Sequence, residues 1–433
     1  MSDQLYFSRD TKMYVAFKDH AGVYQAAFEI PVLDGFGFSQ ANNTSEITLS
    51  EMESSTGTSR RGRRLFNDSL APAEWNCSTY IRPFKGAASG SDYTTNEHHA
   101  VEEVLWGMMA GADHYDTTTH HFESDKFKDG SGVEATVTDS DTTDLNIVFT
   151  HSNRANLSPV DIFFVVETSA TSPVVYKIAD AVVNEATINF EVDGIATVEW
   201  SGFGKDIKDV SGDTTVAAAE PSSGLATGDI FLDTDIDNLF HIYSGSAFLP
   251  AKDEGTASTS NFIRNRVTTL TLAAQSGNDS SGPFVGADDD GIYNLTLTGG
   301  SVTITNNIEF LTPETLGSVN LPLENVTGAR SITGTLNCYV VRNTSSNVGT
   351  SSALFNDMKK SDALALVNND FSLVLNIGGT DTTKPRFKVN MPTCHLEIPS
   401  HSIEDVISFE TNFHALGSNI SAADEIDLTY FGV

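Results

Sequence analysis

The chain has 433 residues, of which 58 are acidic and 25 basic, giving a formal net charge of −33, and 39% are hydrophobic. That length and apolar content suffice for two or three packed domains and exclude wholesale disorder. The charge argues against stable nucleic-acid binding, because phosphate affinity comes from Lys and Arg displacing condensed counterions, and three cysteines exclude a disulfide framework.

The opening "MSDQLYFSRDTKMYVAF" places charges where a signal peptide needs an apolar run, and no apolar run approaches membrane-spanning length. A soluble chain assembled in the cytoplasm, without a membrane partner, is the expectation. After "SEITLSEME" comes a long polar stretch containing "TSRRGRRLFNDS", in which Arg60, Arg61, Arg63 and Arg64 bracket Gly62. Long loops between strands are usually functional or mobile. The stretch reads as a solvated basic loop, as an arm that contacts acidic surface on another copy of the same protein, its nearest abundant partner in so acidic a chain, or as a nucleic-acid contact. The β-prone "NCSTYIRPF" begins at Asn76, and "NEHHAVEEVLWGMMAGA" then sets Val101, Val104, Leu105, Met108 and Met109 on one helical stripe. Thr95 or Asn96 is the expected N-cap and Gly111 lies near the helix end.

Further along, "VDIFFVVE" alternates Val160, Ile162 and Phe164, and "YKIADAVVNEATINFEVDGIATVE" continues the period-two pattern of half-buried strands from Tyr176. Residues 212–258 offer three very short strands, "GDIFLD", "LFHIYS" and "AFLP", as a projecting insert or structured linker. The pattern then recurs. "NCYVVR" begins at Asn337, "SSALFNDMKKSDALALV" is a second helix candidate with Leu354, Phe355 and Met358 on one side, and "FKVNMPTCHLEIPSHSIEDVISFE" from Phe387 repeats the Tyr176 stretch 211 positions on, without a gap. The offset is 261 at the Asn-Cys pairs and 211 after the helix, so the first copy carries 50 additional residues, placed at 112–158. Cys77 and Cys338 read as small buried residues at equivalent positions. The expected fold is mainly β (α+β): two tandem domains, 1–211 and 259–433, each a sheet with one flanking helix, separated by a small β-rich segment at 212–258.

Chemistry finds little support. The histidines 98, 99, 114, 120 and 121 lack metal-ligand spacing. "DTDIDN" at Asp233 lacks the sixth-position glycine and twelfth-position glutamate of a calcium loop. No nucleophile elbow or phosphate-binding glycine loop is present. The expectation is a protein that is not an enzyme and needs neither cofactor nor metal.

Several stretches together resemble the tail tube (major tail) proteins of long-tailed bacteriophages: "EIPVLDGFGFSQANNTSEITLSEME", "LAPAEWNCSTYIRPF", "HHAVEEVLWGMM", "EATINFEVDGIATVEWSGFG" and "MPTCHLEIPSHSIEDVISFETNFHALG". The resemblance implies a β-sandwich or half-barrel with a flanking helix, whose strands join neighbouring subunits into a continuous inner barrel and whose long loop reaches the adjacent ring. This would make the chain a structural virion protein of the phage tail. Its partners would be itself and other tail proteins, with DNA passing through an acidic lumen without sticking; Glu46 and Glu51 are generic lumen candidates. Ordinary members carry one such domain and form six-membered rings; two domains per chain imply three chains per ring with pseudo-six-fold symmetry. Arg60, Arg61, Arg63 and Arg64 would then make contacts between rings. The alternative is a virion surface, decoration or adhesion protein with residues 212–258 binding a host glycan.

Overall fold

Period-two stretches of the sequence become long strands because each offers one apolar face to a core and one polar face to water. In the computed structural model described here, residues 10–19, 21–46, 65–87, 93, 97–112, 114–117, 120–128, 134–136, 138–139, 145–149, 157, 159–166, 172–274, 284–312, 321–342, 349–360, 370–403, 406–419 and 422–432 are described.

The chain starts with a hairpin of β1 (Thr11–Lys18) and β2 (Tyr24–Ile30), then a longer one of β3 (Gly37–Glu46) and β4 (Leu65–Tyr80). Short strands β5 (Pro83–Lys85) and β6 (His98–Ala100) pair ahead of helix α1 (Glu103–Ala110). The segment expected as an insert holds β7 (His114–Asp116), β8 (His121–Lys128), β9 (Glu134–Thr136), β10 (Thr138–Asp139) and β11 (Leu145–Val148). Next come β12 (Val160–Val166), β13 (Val174–Glu191), β14 (Thr197–Gly204) and β15 (Asp206–Asp209). The short sheet that follows has four strands where three were expected: β16 (Thr214–Ala217), β17 (Ile230–Asp233), β18 (Leu239–Tyr243) and β19 (Phe248–Lys252). It does not project freely. Its apolar face covers Tyr14, Phe163 and Val165, and β19 runs parallel to β2.

The rest of the chain contributes β20 (Thr269–Ala274), β21 (Ile292–Tyr293), β22 (Thr296–Thr305), and the hairpin β23 (Ile308–Leu311) and β24 (Glu324–Thr327). Then follow β25 (Ser331–Tyr339), helix α2 (Ser351–Met358), β26 (Asp370–Ile377), β27 (Arg386–Leu396), β28 (Ser400–Ile403), β29 (Ile407–Ala415) and β30 (Asp427–Phe431).

Two layers build the body. The long strand β13 crosses between them: Val174–Ala181 pair with β12, while Val182–Asn189 pair with β14. β27 does the same with β26 and β29. The outer layer carries β2-β1-β12-β13-β15 in one half and β21-β20-β26-β27-β30 in the other. The inner layer is a single ladder of eight strands, β3-β4-β14-β13-β22-β25-β29-β28. Phe38 of β3 stacks on Phe164 of β12 at 4.8 Å, which holds the layers face to face. One contiguous apolar core runs between them, from Met13 and Trp75 to Phe387 and Tyr430.

Helix α1 starts later than its stripe suggests. His98–Ala100 are drawn into β6, so neither Thr95 nor Asn96, which lie outside the described residues, caps the helix; it begins at Glu103. Every residue of α1 is buried, and Gly111 closes it in the left-handed conformation at φ 86°. Trp106 reaches across to Trp200, with ring centroids 4.6 Å apart, and donates its indole N–H to the Tyr430 hydroxyl at 2.6 Å. Helix α2 keeps an ordinary cap, with Thr350 Oγ1 accepting from the Ala353 N–H. Leu354 and Met358 are buried, whereas Phe355 is only half-buried, against His401. The 112–158 segment bridges the halves, since β11 pairs antiparallel with β30.

Strand registers correct the ungapped alignment. A bulge falls between Val160 and Ile162 in one half and between Phe371 and Leu373 in the other, 211 positions apart. On the facing strands the partners are Ala181 and Cys394, which are 213 apart. Tyr176 therefore matches Val389, not Phe387. Trp200 lies opposite Cys77, but Thr411, 211 positions on, lies opposite Leu336, so Cys77 and Cys338 are not equivalent, although both are buried. A slip of two leaves every side chain on its original face, which is why the period-two pattern conceals it.

Candidate assembly interface and polar sheet face

The inner ladder turns its apolar residues inward: Trp75, Cys77, Val198, Trp200, Ile188, Val302, Ile304, Leu336, Phe409 and Phe413 are all buried. Its other face is built from the alternate positions. β4 gives Glu74, Asn76 and Ser78; β14 gives Thr197, Glu199 and Ser201; β13 gives Glu185, Thr187 and Asn189. β22 and β25 add Ser301, Thr303, Thr333, Thr335 and Asn337, and β29 adds Ser408, Glu410, Asn412 and His414. Among these outward positions there is no Lys or Arg.

The face is knitted across strands by short polar contacts. Asn189 Nδ2 donates to Glu199 at 2.9 Å, the hydroxyls of Thr187 and Thr303 meet at 3.0 Å, and Thr305 Oγ1 donates to Glu185 at 3.4 Å. Asn412 Nδ2 donates to Glu397 at 2.8 Å, and the His414 ring lies 3.4 Å from the same carboxylate. Such a surface is hydrated and negative. It presents carboxylates and hydroxyls to solvent and offers no cationic anchor for a phosphate.

The ladder also shows where association can occur. Between β13 and β22 lies the junction of the two halves, a seven-residue antiparallel pairing from Glu185↔Thr305 to Glu191↔Gly299. At its two ends the ladder is open: among the described residues β3 pairs only with β4, and β28 only with β29. Large apolar side chains near these ends are exposed, among them Ile403, Val406 and Ile407 beside β28, and Leu65 and Phe66 at the root of the β3–β4 hairpin. The β23–β24 hairpin adds Leu321, Leu323 and Val326.

Arg60, Arg61, Arg63 and Arg64 lie outside the described residues, as does Glu51; the arm they occupy leaves and rejoins the body at Glu46 and Leu65. Glu46 is exposed and is the last residue of β3, paired with Leu65 where that arm leaves the body. Arg330, the single arginine of the corresponding second stretch, is tied inward: its guanidinium bonds Glu425 at 2.7 Å and lies over the Phe149 ring at 4.9 Å. The "DTDIDN" stretch is a turn between β17 and β18, and among the described residues no group of three or more His, Cys, Asp or Glu could hold a metal ion. No described helix is long and apolar enough to cross a membrane. The acids Glu74, Glu185, Glu199 and Glu410 were not singled out from the sequence. Their signal was there, as carboxylates at alternate positions opposite Trp75, Ala186, Trp200 and Phe409, but alternation does not say which sheet face meets solvent.

Two buried networks brace this scaffold. Asp161 holds Lys18 at 2.8 Å and Lys177 at 2.6 Å and accepts from the Tyr24 hydroxyl. Burial pushes its carboxyl up, but the two ammonium groups outweigh burial and hold it below the usual carboxylate range. Glu102, fully buried ahead of α1, accepts from the Tyr430 hydroxyl at 2.7 Å and from the Arg82 N–H at 3.3 Å. Burial dominates there and pushes its carboxyl up to about 7.

Among known proteins, the chain is similar to the tail tube protein pb6 of Escherichia phage T5, with 26% identity over 418 residues, covering 96% of this chain and 74% of that protein. No family model matches it.

Proposed function

The chain is a homologue of a bacteriophage tail tube protein, and from this premise we propose that it polymerises into stacked rings forming a hollow tail tube, a conduit through which DNA passes. Its role is structural, in the tail of the virion, with itself and other tail proteins as partners, and assembly takes place in the host cytoplasm. The two halves of the chain act as quasi-equivalent tube domains. Each carries an outer and an inner strand layer and one helix, so three chains complete a ring of six.

The observation that carries this reading is the polar face of the inner ladder, an extended sheet surface bearing Glu74, Glu185, Glu199 and Glu410, with no Lys or Arg among its described outward positions. As a tube lining it repels the phosphate backbone, and DNA slides instead of adsorbing. Open ladder ends supply the means of closure, since an unpaired edge is a template for another chain and cyclic closure removes it. Negative-stain microscopy of the purified protein tests the proposal directly: hollow, regularly striated cylinders are expected, and a protein that stays monomeric at high concentration would sink it. A paired measurement tests the lining. Duplex DNA should bind the tubes no better than an acidic control protein at physiological salt, and salt-sensitive micromolar binding would contradict an inert conduit.

A further inference from the structure

The internal junction between the halves serves as a template for the contact between chains. Strand register sets the correspondence. Ser400 faces Glu410 as Thr187 faces Glu199, so β28 occupies the place of Thr187–Phe190. On the other side, Phe38 faces Trp75 and Val302 faces Gly334, while Cys77 and Leu336 both lie opposite matched residues of β14 and β29, so β3 occupies the place of β22. In the internal junction Ile188 faces Val302 and Phe190 faces Gly300, and Ile188, Val302 and Phe190 are sealed in the core.

At the open end formed by β28 the same positions are bare. Phe190 is 1% exposed, whereas Ile403, in its place, is 81% exposed. We infer that the ring closes by repeating the internal junction between chains: Ile398–Ile403 of one copy pair antiparallel with Phe36–Ala41 of a second copy, in the register that sets His401 opposite Phe38 and Ile403 opposite Phe36. This rests on the reading of the chain as a ring-forming tube subunit.

Side-chain volumes support the register. Inside the chain a large residue, Phe190, covers Gly300, where an added Cβ would come within 2.9 Å of the ring. Across the inferred junction the sizes are exchanged in part, with the smaller Ile403 over the larger Phe36. The same kind of exchange is visible within the fold, where Trp75 faces Gly202 in one half and Gly334 faces Phe413 in the other. Phe36 and Phe38 are already braced from beneath by Phe164, at 5.5 and 4.8 Å, and are half-buried, so the second copy would cover a preformed apolar seat. A cavity of about 540 Å³ is lined there by Phe38, Trp75 and Phe203, across β3, β4 and β14. Pro399 takes the place of Ala186 and removes one donor from the edge, which disfavours pairing with stray strands.

Cross-linking in assembled full-length protein tests this. Ser39 and Ser400 are exposed and directly opposed in the inferred register, and the three native cysteines are buried. Chains carrying only S39C, mixed and assembled with chains carrying only S400C, should form an interchain disulfide on mild oxidation. The displaced pair S39C with S402C should do so roughly tenfold less, because a two-residue offset moves the side chains beyond bridging distance. The variant I403D should remain a folded monomer and fail to close rings. If tubes form but the displaced pair cross-links equally well, or if I403D assembles like the parent, the register is overturned while the tube reading stands. If the parent protein forms neither rings nor tubes, the tube reading itself fails and this junction with it.

Discussion

Two buried carboxylates illustrate how environment fixes a side chain's charge, and they respond oppositely. Glu102 sits where no cation is close enough to offset burial, and its carboxyl rises from 4.5 to about 7. Between those values the folded chain holds a proton that the unfolded chain has released. The stability this group contributes is therefore present below about 4.5 and is lost as pH rises toward 7, on the order of 3 kcal/mol in all. Glu102→Gln mimics the protonated form, so the variant should gain on the parent in denaturation midpoint from about pH 5 to about pH 8; parallel curves would show that Glu102 does not titrate there. Asp161 is the reverse case. Its pairing with Lys18 and Lys177 depends on the negative charge, and Asp161→Asn leaves Lys18 with Asp180 alone and takes from Lys177 its carboxylate partner. A loss of about 3 kcal/mol or more is expected, read by chemical denaturation at neutral pH; a loss below about 1 kcal/mol would mean that water replaces the pair.

At the scale of elements, strands were the legible part. Ile407–Ala415 alternates and Val160–Val166 is almost continuously apolar, so that their existence and order follow from the residues alone, and so does the recurrence of that order. What alternation cannot carry is register: matching Tyr176 to Phe387 instead of Val389, and Cys77 to Cys338 instead of Leu336, keeps every residue on its face. Helix α1 was legible as a helix but not in its start, because β6 and the hydrogen bonds of Glu102 to Arg82 and Tyr430 are tertiary facts. The fourth strand of the small sheet, β16, was missed for a similar reason, being held by parallel pairing to β17. Register does become visible where sizes interlock. An added Cβ on Gly202 would lie 2.1 Å from the Val182 carbonyl oxygen and 2.7 Å from the Trp75 ring. Gly202→Ala should therefore cost about 1–3 kcal/mol through overpacking, measured as a shift in denaturant midpoint. A neutral result would mean that β14 and β4 are more loosely apposed than this register requires.

For the whole molecule, the remaining question is what joins one ring to the next. If the halves alternate around a ring of three chains, each ring presents its neighbour with three copies of the arm bearing Arg60, Arg61, Arg63 and Arg64. The second half offers no equivalent, since Arg330 is already committed to Glu425 and Phe149; its β23–β24 hairpin instead exposes Leu321, Leu323 and Val326. Stacking would thus combine a basic arm with an apolar one, and only the basic arm should respond to salt. A single exposed ion pair is worth about 0 to 1 kcal/mol, so one substitution would do little. Four arginines on each of three arms recur at every ring, and their effects accumulate along the tube. Replacing all four with serine should leave the subunit folded, because the arm leaves and rejoins the body at the exposed ends of β3 and β4, while tubes become shorter or fail to form. High salt acting on the parent should move tube length in the same direction, since exposed charges are screened within about 3 Å at 1 M ionic strength. Should the quadruple variant form tubes of normal length at low and high salt alike, the arginines contribute nothing to stacking, and the leucines of the second arm become the residues to replace.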